Sequence, residues 1–231
     1  MPPLMIFAAG LGTRMAPLTD TRPKPLIEVA GRSLLDRALE LGRQAGAAPI
    51  VVNTHYLGGQ IARHLAGTDV AISDEADLLL DTGGGLRRAL PLLGGGPVAT
   101  LNPDVVWTGP NPLQALAQAW RDDMQALLAL VPLARARARI GGGDFALDDA
   151  GRITRRGDFV YAGAQIIRPD LLADIPDPVF SLNLLWDRLI ARGGAFGLIH
   201  HGGWCDVGRP EAIAQAEALL TDPAQQGPTR V

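Results

Sequence analysis

Short apolar runs alternate along the chain with segments in which apolar residues recur every three or four positions. A short apolar run predicts a buried strand, and the longer period predicts an amphipathic helix. The strands predicted in this way span residues 4–8, 49–53, 70–73, 97–101 and 126–131, and the helices span 33–45, 57–65, 84–92 and 112–122. Strands that are apolar throughout and separated by helices predict a mostly parallel sheet covered on both faces.

The second half of the chain has a different pattern. Residues 144–147 and 152–155 flank the turn sequence Asp-Asp-Ala-Gly, which predicts a hairpin. A further strand is expected at 159–167, and helices at 181–191 and 211–220. No linker separates the halves, so we expect one domain over residues 1–221. The polar residues 222–231 are predicted to form a flexible C-terminal tail.

The composition narrows the functional classes. The 231 residues suit one large α/β domain, and a net charge of -3 disfavours nucleic acid as a partner. Cys205 is the single cysteine, which excludes an internal disulfide and a Cys-x-x-Cys zinc site. No apolar stretch approaches the roughly 18 residues of a membrane span, and the N-terminus lacks a basic signal region. We therefore expect a soluble cytoplasmic protein that binds neither nucleic acid nor membranes.

The stretch FAAGLGTRM follows the first predicted strand and contains Gly-x-Gly, which opens many dinucleotide-binding loops. Met15 stands where that motif needs Gly or Ala for close packing between helix and strand. Pro17 and Pro23 disfavour a helix directly after the loop. A nicotinamide-dependent oxidoreductase is therefore disfavoured. Such an enzyme has a ribose-binding acid about 20 residues after the glycines. Glu28 lies near that distance, but it comes after the sequence PKPL, which is the wrong context for that role.

The same loop retains the features of an anion site. Successive backbone amides of residues 10–13 can form a nest for phosphate oxygens. Arg14 can donate to two phosphate oxygens, and Lys24 supplies a point charge. These groups suit a triphosphate; the alternative is a surface loop with solvated charges.

Two aspartates form a candidate metal site. Asp104 follows the apolar run VATL, and acids at the carboxyl ends of central strands face the ligand crevice. Asp206 lies in the stretch WCDVG. Mg²⁺ prefers a few carboxylates together with phosphate oxygens and water. The alternative is that each aspartate caps a turn or helix.

The run from residue 8 to 35 resembles the opening motif of the sugar-1-phosphate nucleotidylyltransferases. The matching residues are Gly10, Gly12, Arg14, Pro17-Leu18-Thr19 and Pro23-Lys24-Pro25. The resemblance extends to about Leu220. It implies a single Rossmann-like α/β nucleotidyltransferase domain with a mixed, mostly parallel central sheet flanked by helices.

The resemblance also implies roles for individual residues. Arg14, Lys24 and Asp104 correspond to catalytic residues, and Asp104 and Asp206 to ligands of Mg²⁺. The nucleotide-binding positions are Ala9, Gly10, Leu11, Gly12, Thr13, Arg14, Lys24, Gly83 and Gly84. The sugar-binding positions are Asp144, Gly163 and Asn183. One departure is Pro103, where the family usually has Gly, Ala or Ser before the first aspartate.

Several of these positions also have ordinary structural interpretations. Gly83 and Gly84 could simply begin a helix capped by Thr82, and Gly163 could mark a β-bulge. Asp144 could end a hairpin, and Asn183 could cap a helix. Neighbouring residues on a strand point to opposite faces, so at most one of His200 and His201 could face the site. Neither is needed as a metal ligand, and both are expected at the surface.

The resemblance is strongest to the branch that acts on N-acetylmuramate 1-phosphate. It implies transfer of a nucleotidyl group from UTP to that acceptor, giving a nucleoside diphosphate sugar and pyrophosphate, in cell-wall sugar recycling. The partners would be the NTP and the sugar 1-phosphate, and the protein a monomer or homodimer. Alternatives are a mannose-1-phosphate guanylyltransferase, another hexose- or heptose-1-phosphate nucleotidylyltransferase, and a non-catalytic homologue that binds nucleotide sugars.

Overall fold

The computed structural model describes residues 1–222, so the predicted tail lies outside the described residues from residue 223 onward. The strands are β1 (Leu4–Phe7), β2 (Glu28–Val29), β3 (Arg32–Ser33), β4 (Ile50–Thr54), β5 (Ala71–Asp74), β6 (Val98–Leu101), β7 (Val105–Trp107), β8 (Ala126–Pro132), β9 (Phe145–Leu147), β10 (Ile153–Arg155), β11 (Phe159–Ile167), β12 (Ala195–Ile199) and β13 (Trp204–Asp206). The helices are α1 (Leu34–Gln44), α2 (Gly58–His64), α3 (Asp81–Leu93), α4 (Pro112–Ala119), α5 (Leu182–Ala191) and α6 (Ala212–Thr221).

The central sheet is mixed, as predicted. Its main strand order is β12-β8-β11-β6-β1-β4-β5, and the β9–β10 hairpin extends it beside β11. Strands β6, β1, β4 and β5 run parallel, whereas β11 runs antiparallel to both β6 and β8. The carboxyl ends of β1, β4 and β6 therefore meet at one edge, where open α/β sheets bind ligands.

Burial on both faces explains why the central strands are continuously apolar. In β1, Leu4 and Ile6 join the core on one face, and Met5 joins the core on the other. Side chains alternate between the faces of a strand, so both sets must be apolar when helices cover both faces. The first predicted helix is confirmed, since the Ser33 hydroxyl accepts a hydrogen bond from the Asp36 amide and caps α1.

Two predicted helix boundaries are wrong. Helix α3 begins at Asp81, not at residue 84, so the three glycines lie within its N-terminal part. There, the Gly83 and Gly84 amides donate to the Phe180 carbonyl at 2.9 and 3.1 Å. Helix α4 ends at Ala119 because the backbone of Trp120 is extended. Among the described residues, no helix combines the length and hydrophobicity that a bilayer crossing requires.

A small antiparallel sheet of β7 and β13 has no clear sequence signal, because each strand has only three residues. Its register pairs Val105 with Asp206 and Val106 with Cys205. Val106 and Cys205 pack into a third apolar cluster with residues of α6. This pairing matters for the site because it fastens the segment of Asp206 beside that of Asp104.

Candidate functional site

The loop after β1 has the irregular backbone that its prolines predict. It contains two short 3₁₀ turns, Thr13–Met15 and Lys24–Leu26, and no α-helix begins there. Gly12 has a φ of +65°, and a Cβ atom on it would come within 3.0 Å of both Lys24 and Thr19. The Thr19 hydroxyl donates to the Gly12 carbonyl at 3.0 Å. Glycine is needed at this position for both backbone conformation and space.

This loop forms one wall of a cavity of about 490 Å³. Among the predicted nucleotide-binding residues, Ala9, Gly10, Gly12 and Lys24 line it. Much of the remaining wall is apolar and comes from Phe7, Pro25, Leu79, Pro103 and Val179. Leu11 and Thr13 are exposed and belong to neither this cavity nor its neighbour. The first cavity thus has a largely apolar wall, and its charged lining residues are Lys24, Glu75, Asp81 and Asp104.

A second cavity of about 320 Å³ adjoins the first and carries more charge. It is lined by Arg14, by the predicted metal ligand Asp206 and by the predicted sugar-binding residues Asp144, Gly163 and Asn183. Asp104 and Asn102 line both cavities. Asp104 therefore lies at the junction, where two substrates held in separate chambers would meet.

The two aspartates form an electrostatically coupled pair. Burial raises the pKa of Asp206, and the nearby charge of Asp104 raises it further, while Lys24 and Arg14 act in the opposite direction. The Val207 amide next to Asp206 donates to the Asp104 carbonyl at 2.8 Å. Lys24 Nζ contacts Asp104 Oδ2 at 2.5 Å, with the lysine side chain only 12% exposed. A cation at this junction is electrostatically favoured.

The donor atoms suit a hard divalent cation that also binds substrate. Two carboxylates supply the oxygen ligands that Mg²⁺ prefers, and phosphate and water would supply the rest. Within residues 1–222, no group of three or more His, Cys, Asp and Glu side chains could hold a metal ion. The residues therefore fit a magnesium ion shared with phosphate oxygens better than a metal enclosed by protein ligands.

The predicted sugar-binding residues converge on the second cavity. Asp144 accepts hydrogen bonds from Arg139 Nη2 at 2.8 Å and from the Tyr161 amide at 2.9 Å. Gly163 lies at an irregularity in β11 with a φ of +93°. Asn183 is exposed in the first turn of α5, where Ser181 is the capping residue. Gly163 thus marks the bulge that was the alternative interpretation, and it also lines the cavity.

Comparison with known proteins identifies the family. The model of the MobA-like NTP transferase domain matches residues 4–201. The chain belongs to the MobA-like NTP transferase family. The N-acetylmuramate alpha-1-phosphate uridylyltransferase of Caulobacter vibrioides is 40% identical over 94% of this chain and 96% of that protein. The protein of the same name from Neisseria meningitidis is 36% identical over 93% of this chain and 96% of that protein. These relatives confirm the resemblance drawn from the opening motif.

Solved structures confirm the fold. HddC from Yersinia pseudotuberculosis, complexed with GMP-PN, aligns with a TM-score of 0.76 at 21% identity and covers 96% of this chain and 100% of that one. A sucrose complex of a Bacillus anthracis protein aligns with a TM-score of 0.81 at 15% identity, over 96% of both chains. This NTP transferase thus shares its Rossmann-like α/β fold with both solved structures.

Three residues singled out from the sequence of this NTP transferase, Gly83, Gly84 and His200, pack closely against other parts of the protein. Gly83 and Gly84 do not line either cavity; a Cβ atom on Gly83 would collide with Phe180, and one on Gly84 with the Pro178 carbonyl. Their contact with nucleotide stays a prediction. The expected surface position of His200 is wrong, because it is 6% exposed and contacts the Thr108 carbonyl. Burial lowers the pKa of His200, whereas His201 is exposed as expected.

Asn53 and Glu75 form a buried pair that also contributes to the wall of the first cavity. Asn53 Oδ1 accepts from the Ala8 amide at 2.7 Å, and its Nδ2 donates to Glu75 Oε1 at 2.6 Å. Glu75 Oε2 accepts from the Leu80 amide at 3.1 Å. The pair thus connects the start of the glycine loop to the start of α3. Gly85 is needed beside it, since a Cβ atom there would lie 2.7 Å from Glu75 Oε1.

We expect Glu75→Ala to lower the free energy of unfolding by about 2–4 kcal/mol, because it leaves two buried donors without acceptors. Chemical denaturation measures this loss. Glu75→Gln keeps an acceptor and should lose less. Equal free energies of unfolding for Glu75→Ala and the wild type would contradict a stabilising role for the hydrogen bonds that Glu75 accepts from Asn53 and Leu80.

Proposed function

We propose that this protein transfers the uridylyl group of UTP to N-acetylmuramate 1-phosphate and releases pyrophosphate. The observation that carries the proposal is the position of Asp104 at the junction of an apolar, nucleotide-sized chamber and a charged chamber. The two uridylyltransferase relatives, which match nearly the whole chain, support the choice of both substrates.

The reaction needs no general base. A phosphate monoester is already anionic near neutral pH, so its oxygen can attack the α-phosphorus of UTP directly. A new P–O bond forms to the α-phosphorus as the bond to the bridging oxygen breaks, and pyrophosphate carries away the electron pair. The protein's part is to position the two phosphates and compensate their charge. Lys24 supplies a cation in the first cavity and Arg14 one in the second.

Magnesium is the proposed cofactor, and Asp104 and Asp206 would hold it. Bound there, Mg²⁺ would neutralise phosphate charge at the reacting centre. The two neighbouring carboxylates support this proposal. Burial, and then the charge of Asp104, raise the pKa of Asp206, and a divalent cation would relieve the repulsion between the two aspartates. Lys24, which pairs with Asp104 in this structure, would then be available to the nucleotide phosphates.

Other family activities have weaker support. The mannose-1-phosphate guanylyltransferase subunit of Danio rerio is 26% identical over 98% of this chain and 67% of that protein. A non-catalytic homologue that only binds nucleotide sugars does not require both aspartates at the junction, yet both are present. We place the proposed reaction in cytoplasmic recycling of cell-wall sugars, in a monomer or homodimer.

A substrate panel tests the proposal. The protein is incubated with Mg²⁺, each of the four common NTPs and a set of sugar 1-phosphates, and pyrophosphate release is measured. The expected result is the highest kcat/KM with UTP and N-acetylmuramate 1-phosphate. Preference for GTP with mannose 1-phosphate would replace the substrate assignment but keep the reaction. No release with any pair would reject the transferase function.

A further inference from the structure

The charged cavity contains three guanidinium groups, and their surroundings divide them into two kinds. Arg14 lies in the first 3₁₀ turn of the glycine loop. Arg139 closely follows Arg137, whose carbonyl accepts a hydrogen bond from the Asp206 amide at 3.1 Å. Both therefore lie at the end of the cavity where phosphate would bind. Arg139 is also paired with Asp144, which lines the same cavity. The charge of Arg139 is therefore balanced inside the chamber.

Arg155 is held from outside the chamber. Its Nε donates to Asp187 at 2.7 Å, and its Nη2 donates to the Asn183 carbonyl at 3.0 Å. Both partners belong to α5, and Asp187 is not among the residues that line the cavity. Among residues 1–222, Nη1 of Arg155 has no hydrogen-bond acceptor. These two hydrogen bonds hold the guanidinium in place and leave Nη1 to donate to a ligand.

Two aromatic rings pack against the same guanidinium group. The Arg155 guanidinium carbon lies 5.0 Å from the ring centre of Phe145 and 5.6 Å from that of Trp186. Trp186 is itself held by a 2.8 Å hydrogen bond from its indole to Gln165. A guanidinium fixed in this way loses little conformational freedom on binding a planar anion, and a carboxylate matches its paired donors.

We propose that Arg155 binds a carboxylate carried by the acceptor sugar and so determines specificity for acidic sugar 1-phosphates. The inference rests on the proposed function. N-Acetylmuramate differs from N-acetylglucosamine by a lactyl ether that ends in a carboxylate, so its 1-phosphate has two separate anions. The phosphate is assigned to the end at Arg14 and Arg139, and the carboxylate to Arg155 on α5.

The test compares kcat/KM for N-acetylmuramate 1-phosphate and N-acetylglucosamine 1-phosphate, with UTP held constant. In the wild type we expect the carboxylated acceptor to be preferred. In Arg155→Gln the ratio should fall by about 10- to 100-fold, the usual range for losing a charge-assisted hydrogen bond to a carboxylate. Arg155→Lys, which keeps the charge but not the paired donors, should give an intermediate ratio.

Arg156→Gln is the matched control, because it removes the same charge from an adjacent, exposed residue that lines neither cavity. Thermal melting checks that each variant is folded. An unchanged ratio in Arg155→Gln, an equal loss with both acceptors, or a wild-type preference for N-acetylglucosamine 1-phosphate would each overturn the inference while the transferase function stands. Absence of pyrophosphate release by the wild type with every acceptor would instead reject the proposed function, and the inference with it.

Discussion

Asp104→Asn is expected to reduce kcat/KM by about 1,000-fold or more. The substitution removes a carboxylate from the junction of the two cavities, where we propose that the two phosphates meet. It also removes the partner of Lys24 and one charge of the pair with Asp206. We expect the Mg²⁺ concentration for half-maximal rate to rise as well, and chelation of Mg²⁺ to abolish wild-type turnover.

The fold of this variant should remain intact. Loss of the contact with Lys24 is offset by relief of the repulsion between two neighbouring carboxylates, so the melting temperature should change little. Asp149→Asn is the control, because Asp149 lies in the exposed β9–β10 turn, away from both cavities. Wild-type turnover in Asp104→Asn would remove Asp104 from the reacting centre.

Lys24→Gln is expected to lower kcat by about 100- to 1,000-fold, as loss of a preorganised charge at a reacting centre commonly does. Lys24 lines the nucleotide-sized cavity beside Gly10 and Gly12, and its side chain is mostly buried. Steady-state kinetics at saturating UTP measure the effect.

The magnesium dependence separates the two substitutions. Lys24→Gln removes a cation that competes for Asp104, so the Mg²⁺ concentration for half-maximal rate should stay the same or fall. In Asp104→Asn it should rise. Arg22→Gln is the control, since Arg22 is an exposed cation near Lys24 that lines neither cavity. A parallel rise in both active-site variants would show that Lys24 supports the metal site and does not act on the nucleotide.

The loop after β1 was predictable because its constraints are local. Met15 and the following prolines disfavour the dinucleotide turn, and the structure has two 3₁₀ turns there and no α-helix. The central strands and most helices were equally predictable from the sequence. Burial on both faces gives a strand a continuous apolar run, and a helix shows its own apolar period. The ends of helices were less predictable where packing against a distant segment decides them. The start of α3 is an example, because Gly83 and Gly84 donate hydrogen bonds to the Phe180 carbonyl.

The amino-acid sequence by itself determined the α/β class and the cationic glycine loop, because periodicity, proline and glycine act over short distances. It also singled out Asp104 and Asp206 as candidate metal ligands, through the resemblance of their segments to motifs of a known family. Only the tertiary structure decided that Asp104 and Asp206 meet, since the β7–β13 pairing joins opposite halves of the chain through strands too short to show periodicity. It also joined Asn53 to Glu75 and placed Arg155 against α5. Those contacts depend on how the elements pack, and packing leaves little trace in the local pattern of a single sequence.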